Sequence, residues 1–215
     1  MFNVSPIFLL TRHRCPLTVI INVIEQPTSL VKLAHRLLTG KVKSGMAVID
    51  ATVGNGYDTL FLLDLVKPNG KVYGFDIQAN ALRLTKDKLQ HSPDAACVEL
   101  IHASHADMAA HIPAPLHGNI AAVMFNLGYL PGGDKHIITQ ADSTLAALGQ
   151  AIALMAPGGL LTILAYPGHA GGDHETAKVN HWCERLNPER FVVNLYETAR
   201  DNPATPQLFV VNKLA

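Results

Sequence analysis

From residue 28 to the end, short unbroken apolar runs alternate with stretches in which apolar residues recur every three or four positions. The first pattern belongs to strands buried on both faces, the second to amphipathic helices. Thr28 or Ser29 caps a predicted helix whose apolar face is Leu30, Leu33, Ala34, Leu37 and Leu38. Gly45 introduces a predicted strand over 46–49 that ends at Asp50. A helix over 57–66 follows, and Pro68-Asn69-Gly70 turns the chain. Further strands are predicted at 72–77, 98–103, 120–126 and 160–165, with a charged helix over 79–90 between the first two. Ile138, Ala141, Leu145, Leu148, Ile152 and Met155 mark the longest helix, which Pro157-Gly158-Gly159 stops. A helix over 174–186 precedes two strands, 191–196 and 207–212, with no helix between them, so they should pair as a hairpin. The pattern predicts one α/β domain over 28–215: a doubly wound, seven-stranded, mostly parallel sheet with a C-terminal antiparallel hairpin. Residues 1–27 read as an N-terminal extension, with a short strand at 19–23.

Composition narrows the picture. Hydrophobic residues make up 48% and aromatics only 6%, which suits the aliphatic interior of a parallel sheet. Lys+Arg and Asp+Glu both total 17, a balance that argues against a protein whose main task is coating nucleic acid. A local basic face remains open: residues 1–45 carry Arg12, Arg14, Lys32, Arg36, Lys41 and Lys43 against Glu25 alone. Cys15, Cys97 and Cys183 are odd in number and form no CxxC pair, which points to a reducing, cytoplasmic compartment. No apolar run approaches the length of a membrane span. Residues 1–24 imitate a signal peptide, but their charges fall late and no small-x-small site follows.

In open parallel sheets ligands bind beyond the carboxyl ends of strands, so the chemistry belongs at those ends. The strongest signal is the loop after the first predicted strand of the domain, from Asp50 through Thr52, Gly54, Asn55 and Gly56 to Asp58 and Thr59. The glycines permit a tight turn and close approach of a ligand to bare backbone. Asp76, ending the next strand, is placed to accept both hydroxyls of a ribose. Two details argue against a dinucleotide: Leu60 stands where a third glycine would be, and Asp50 would repel a diphosphate while suiting a cationic ligand. The pattern resembles the first motif of the class I S-adenosylmethionine methyltransferases, whose fold is Rossmann-like. That resemblance implies S-adenosylmethionine as cofactor. Asp50 and the Gly54–Gly56 loop would hold its methionine part and Asp76 its ribose. Ser104, His105 or Asp107 would lie near its adenine, flanked by Ile77.

The ends of the fourth and fifth strands of the domain supply the candidate acceptor site. Asn126-Leu127-Gly128-Tyr129 resembles in layout the Asn/Asp-Pro-Pro-Tyr motif of amino-group methyltransferases, with Leu127-Gly128 in place of the prolines. The implied catalytic roles are acceptance of the target nitrogen's hydrogen by Asn126, stacking by Tyr129, and proton removal by His169, Tyr129 or Asp134, with His169 preferred. His169, Asp173, His174 and Glu175 match no helical metal-ligand spacing, and no metal is expected. Three motifs in order, D-A-T-x-G-N-G-x-D-T-x-F-L, N-L-G-Y-L-P-G-G-D-K and Y-x-G-H-x-G-G-x-x-E, resemble those of the rRNA-methylase family from about Val31 onward. Members of that family assigned as tRNA 5-(aminomethyl)-2-thiouridine methyltransferases imply the anticodon arm of tRNA as substrate. A homodimer that pools basic edges is a further expectation. The competing readings are a small-molecule N- or O-methyltransferase, a nucleotide-binding oxidoreductase, and a non-catalytic RNA-binding module.

Overall fold

The computed structural model describes residues 19–24, 29–128, 138–198 and 204–215. Its centre is an eight-stranded sheet in the order β1-β7-β8-β6-β5-β2-β3-β4. The strands are β1 (Val19–Ile24), β2 (Ala47–Asp50), β3 (Lys71–Asp76), β4 (Val98–His102), β5 (Ile120–Asn126), β6 (Met155–Ala165), β7 (Phe191–Thr198) and β8 (Gln207–Lys213). The helices are α1 (Leu30–Thr39), α2 (Tyr57–Val66), α3 (Ala79–Leu89), the single turn α4 (Met108–His111), α5 (Ala141–Leu154) and α6 (Gly172–Glu184). Only β8 runs antiparallel, pairing with β6 on one side and β7 on the other. The doubly wound sheet and the C-terminal hairpin are as the sequence predicts.

The strand count is eight rather than seven because β1, from the N-terminal stretch, pairs in parallel with β7 from Val19↔Val193 to Ile24↔Thr198. Among the described side chains of β1 the most buried is polar. Asn22 is 5% exposed and donates through Nδ2 to Asn194 Oδ1 at 3.4 Å, so the strand does not show the usual apolar alternation.

The helix expected to begin at Ile138 begins at Ala141 and ends at Leu154; Met155 already has extended backbone, φ −67° and ψ 141°. Pro157 has no N–H to continue a helix, and Lys213 Nζ donates to the carbonyls of Ile152 and Met155 at 2.9 and 2.6 Å. β6 therefore starts at Met155 rather than 160. Its ladder with β5 shifts register around the glycines, from Ile120↔Met155 to Ala122↔Leu160. α6 likewise starts two residues before the expected 174, at Gly172.

The sheet is covered on both faces. One apolar layer joins α4, α5 and α6 through Met108, Leu148 and Val179, and the other joins α1, α2 and α3 through Leu33, Leu62 and Leu89. Burying each such side chain contributes about 1.5–3 kcal/mol. From β2 the chain winds outward through β3 to β4 and then crosses back to β5, so the order reverses between β2 and β5. The carboxyl ends of those two strands open a crevice.

Candidate active site

A cavity of about 620 Å³ lies at that crevice, lined by the β2–α2 loop, the end of β3, the β4–α4 turn and the segments after β5 and β6. The loop is built from backbone bonds that continue the sheet: Ala51 N donates to Met124 O at 2.8 Å, and Val53 N to Phe75 O at 3.0 Å. Gly54 and Gly56 then take φ of 52° and 78°. At Gly56 a side chain is doubly forbidden, because its Cβ would also lie 2.4 Å from Thr85 Oγ1. Asp76 latches the turn from the neighbouring strand, accepting from Gly54 N at 2.9 Å and from Gln78 N at 2.8 Å. Each carboxylate oxygen retains a lone pair for a ligand hydroxyl.

Of the sequence-predicted residues, Thr52, Gly54, Asn55, Asp58, Asp76, Ile77, Ser104, His105, Asn126 and His169 all line the cavity. Asp50, Gly56 and Thr59 stand behind the loop. Asp50 is wholly buried and accepts from Thr52 N at 3.1 Å and Thr59 Oγ1 at 2.6 Å. Asp50, expected to face the ligand, does not line the cavity; its carboxylate braces the loop from within. Burial pushes it up to about 7, with the charge of Asp58 adding to the effect and the bonds from Thr59 and Thr52 opposing it. Asp58, at the start of α2, does face the cavity, as Asp76 does. Tyr129 and Asp134 fall outside the described residues.

His105 is buried, donates through Nδ1 to Ala51 O at 3.2 Å, and is held below the usual imidazole range chiefly by burial. Its ring tilts against Phe125 with 5.6 Å between centroids. Ser104 Oγ accepts from Ala106 N at 3.1 Å and opens the turn before α4. Ile77 is 56% exposed at the rim, an apolar surface beside Asp76.

The segment after β5 is closed by Thr139, whose N–H donates to Gly128 O at 2.9 Å while its Oγ1 accepts from Gly128 N at 2.8 Å. Thr139 and Thr144 both donate to the buried carboxylate of Glu175, at 2.7 and 2.6 Å. Glu175 thus turns into the core, whereas Asp173 and His174 are exposed. His169 lies against bare backbone: a Cβ on Gly128 or Gly172 would come within 3.3 or 2.8 Å of its Nε2. Its Nδ1 faces the Ala170 carbonyl at 3.1 Å. A carbonyl only accepts, so Nδ1 carries the hydrogen and a neutral ring has Nε2 as its basic atom. Tyr166, pushed up to about 12 by burial and then by Asp58, completes this wall.

The sequence reading missed His35. It sits on α1 one turn after Val31, which lines the cavity, and its Nε2 is 2.7 Å from Asp58 Oδ1. The signal is the i, i+4 spacing from Val31, visible only once α1 is known to flank the site.

The sequence profile of the family described as "Putative rRNA methylase" matches residues 72–212. The chain belongs to this family. Its members are S-adenosylmethionine-dependent methyltransferases, and the latched glycine loop, the free lone pairs of Asp76 and the apolar rim at Ile77 fit that cofactor. The crystal structure of a protein given the same designation from Clostridium thermocellum superposes with a TM-score of 0.83 at 36% identity, covering 88% of this chain and 100% of that one. A methyltransferase-designated protein of Streptococcus mutans, solved in complex with SAH, gives 0.77 at 35% identity over 88% of this chain and 100% of its own. The chloroplastic tRNA (mnm(5)s(2)U34)-methyltransferase of Arabidopsis thaliana is 41% identical over an alignment of 152 residues that covers 67% of this chain. The match spans 55% of the length of that relative. Among the described residues no helix is long and apolar enough to cross a membrane.

Proposed function

We propose that this methyltransferase N-methylates the aminomethyl group of a modified wobble uridine in the anticodon arm of tRNA. The observation that carries the reading is Asn126. It ends β5 at the cavity wall, beside the cofactor loop and joined to it, its N–H donating to Thr52 Oγ1 at 2.7 Å. A side-chain amide there meets the need of an amine acceptor, whose hydrogens must be accepted while its lone pair stays free. The 41% identity to the Arabidopsis protein supports the choice of nucleoside.

In this reading Asp76 holds the ribose hydroxyls of the cofactor, Ile77 and Ser104 border its adenine, and the Gly54 and Asn55 backbone lies along its methionine part. When bound, S-adenosylmethionine supplies a methyl group on a positively charged sulfur. Asp58 would offer a negative charge in the cavity to that sulfur or to the adjoining ammonium. His169, on the same cavity wall, is the residue proposed to take the proton that the amine must lose, and the apolar rim excludes water from the nitrogen.

The test uses tRNA from cells that lack the protein, incubated with the purified chain and labelled S-adenosylmethionine, followed by nucleoside mass spectrometry. A gain of one methyl on the aminomethylated wobble uridine is expected. Label transferred to metabolites while that nucleoside stays unchanged would overturn the assignment in favour of a small-molecule acceptor.

A further inference from the structure

Resting on the amine-acceptor reading of Asn126, we propose that His35 and Asp58 are positioning residues that fix which face of the Asn126 amide the acceptor meets. Asp58 Oδ2 lies 3.3 Å from Asn126 Nδ2, and Asp58 Oδ1 lies 2.7 Å from His35 Nε2. An ionised carboxylate has no hydrogen to give, so both neighbours donate to it. The amide of Asn126 has one donating and one accepting end. With its NH2 taken by Asp58, the carbonyl oxygen is left for the substrate. The reverse orientation would direct an N–H at the target nitrogen and occupy the lone pair with which that nitrogen forms its new bond to carbon. The same atoms of Asn126 can therefore help or block transfer, and Asp58 selects between them.

His35 completes the arrangement from behind. It does not line the cavity. Its ring stacks on Phe61 with 3.7 Å between centroids and 4° between planes. Phe61 and Asp58 stand three positions apart on α2, so the stack and the carboxylate share one helix face, and the ring edge is aimed at Oδ1. That oxygen is the one on which a hydrogen would sit if Asp58 became a donor. The hydrogen from His35 occupies the position and holds the carboxylate plane towards Asn126. The side chains of the pair are 25% and 9% exposed, enough shielding for the bond to outlast competition from water.

The experiment compares wild type, His35→Ala, His35→Gln and Asp58→Asn as full chains. Methyl transfer to aminomethyl-bearing tRNA is measured alongside calorimetry with SAH and thermal melting. His35→Ala should lower kcat about tenfold, the worth of one charge-assisted bond, with the Kd for SAH within about twofold. His35→Gln, whose NH2 can reach the same carboxylate, should recover most of the loss. Asp58→Asn can donate to Asn126 and invert its amide, and should lower kcat by about a hundredfold. An unchanged kcat in His35→Ala, a parallel loss of kcat and SAH affinity, or a Gln variant no better than Ala would each overturn the proposal. If His35→Ala fails to melt cooperatively, the near-isosteric Asp58→Asn decides, and full activity there is the overturning result. A wild-type chain silent on that RNA removes the amine-acceptor reading itself; an active wild type with an equally active His35→Ala removes only the positioning role.

Discussion

At the scale of single residues, Asp50 and Asp58 differ in where their carboxylates point. The sequence reading aimed Asp50 at a cationic ligand because it ends a strand four residues before Gly54. Spacing along a chain does not say which way a side chain points. Asp50 lies in the last pleat of a four-residue strand that is buried throughout, and its carboxylate turns under the loop towards Thr59. Asp58 comes from a helix start and reaches the cavity. The turn at the motif glycines and the strand-end position of Asp76 are legible in the sequence, because spacing does determine where a turn falls and where a strand ends. The burial of Asp50 has a measurable consequence. A free carboxyl near 3.8 that rises to about 7 in the folded chain is protonated in the native state, and ionised in the unfolded state, across the interval between. The stabilisation is fully present below the lower value and is lost as pH rises through the upper one. Asp50→Asn can still accept from Thr52 N and donate to Thr59 Oγ1 without titrating. Urea unfolding at about pH 5 and pH 8 should show the wild type losing stability relative to Asp50→Asn as pH rises, by at most about 1.4 kcal/mol per unit within the window. Parallel pH profiles would show that Asp50 does not titrate there.

At the scale of elements, β2, β3, β5 and β6 were readable because strands covered on both faces are continuous apolar runs. The errors fall where tertiary contacts overrule the local pattern. Ile138 fits the helical period of α5, yet it precedes the helix and lines the cavity, with Thr139 beside it bonded to Gly128. In the sequence β1 reads as part of an extension because nothing local indicates a partner; its place depends on β7, more than a hundred and sixty residues away. That pairing predicts an asymmetric result of truncation. β1 sits at the sheet edge, with β7, β8 and β6 between it and β5. Removing residues 1–24 takes away a six-pair ladder, the Asn22–Asn194 contact and the packing of Val19 and Ile21. The melting temperature should fall by about 5 °C or more, at roughly 2–4 °C per kcal/mol for a chain of this size. The Kd for SAH should stay within about twofold, because the glycine loop and Asp76 belong to β2 and β3. Weakened SAH binding in a well-folded truncation would mean that β1 supports the site as well as the sheet.

At the scale of the whole molecule, a zero formal charge conceals a local concentration of acid. The reversal of strand order between β2 and β5 brings Asp58 and Asp76 to one crevice, with Asp50 buried behind the loop. That crowding suits a ligand with a positive charge and a ribose, and opposes one with a diphosphate. Thermal shift turns the argument into a number. A ligand that binds only the folded state at a hundredfold above its Kd stabilises by about 2.7 kcal/mol. For a chain of this length SAH should therefore raise the melting temperature by roughly 5–10 °C. An oxidised or reduced nicotinamide dinucleotide at the same concentration should leave it within about 1 °C, because Leu60 occupies the place of the third small residue and Asp58 faces the phosphates. Asp76→Ala supplies the internal control. If Asp76 accepts both ribose hydroxyls as proposed, the variant loses two charge-assisted bonds, each worth ~1.5–3 kcal/mol, and should abolish the SAH shift. It also releases the N–H of Gly54 and that of Gln78, so the ligand-free melting temperature of the variant is the baseline for its own shift. A larger shift with the dinucleotide than with SAH, or an undiminished SAH shift in Asp76→Ala, would place the cofactor somewhere other than the end of β3.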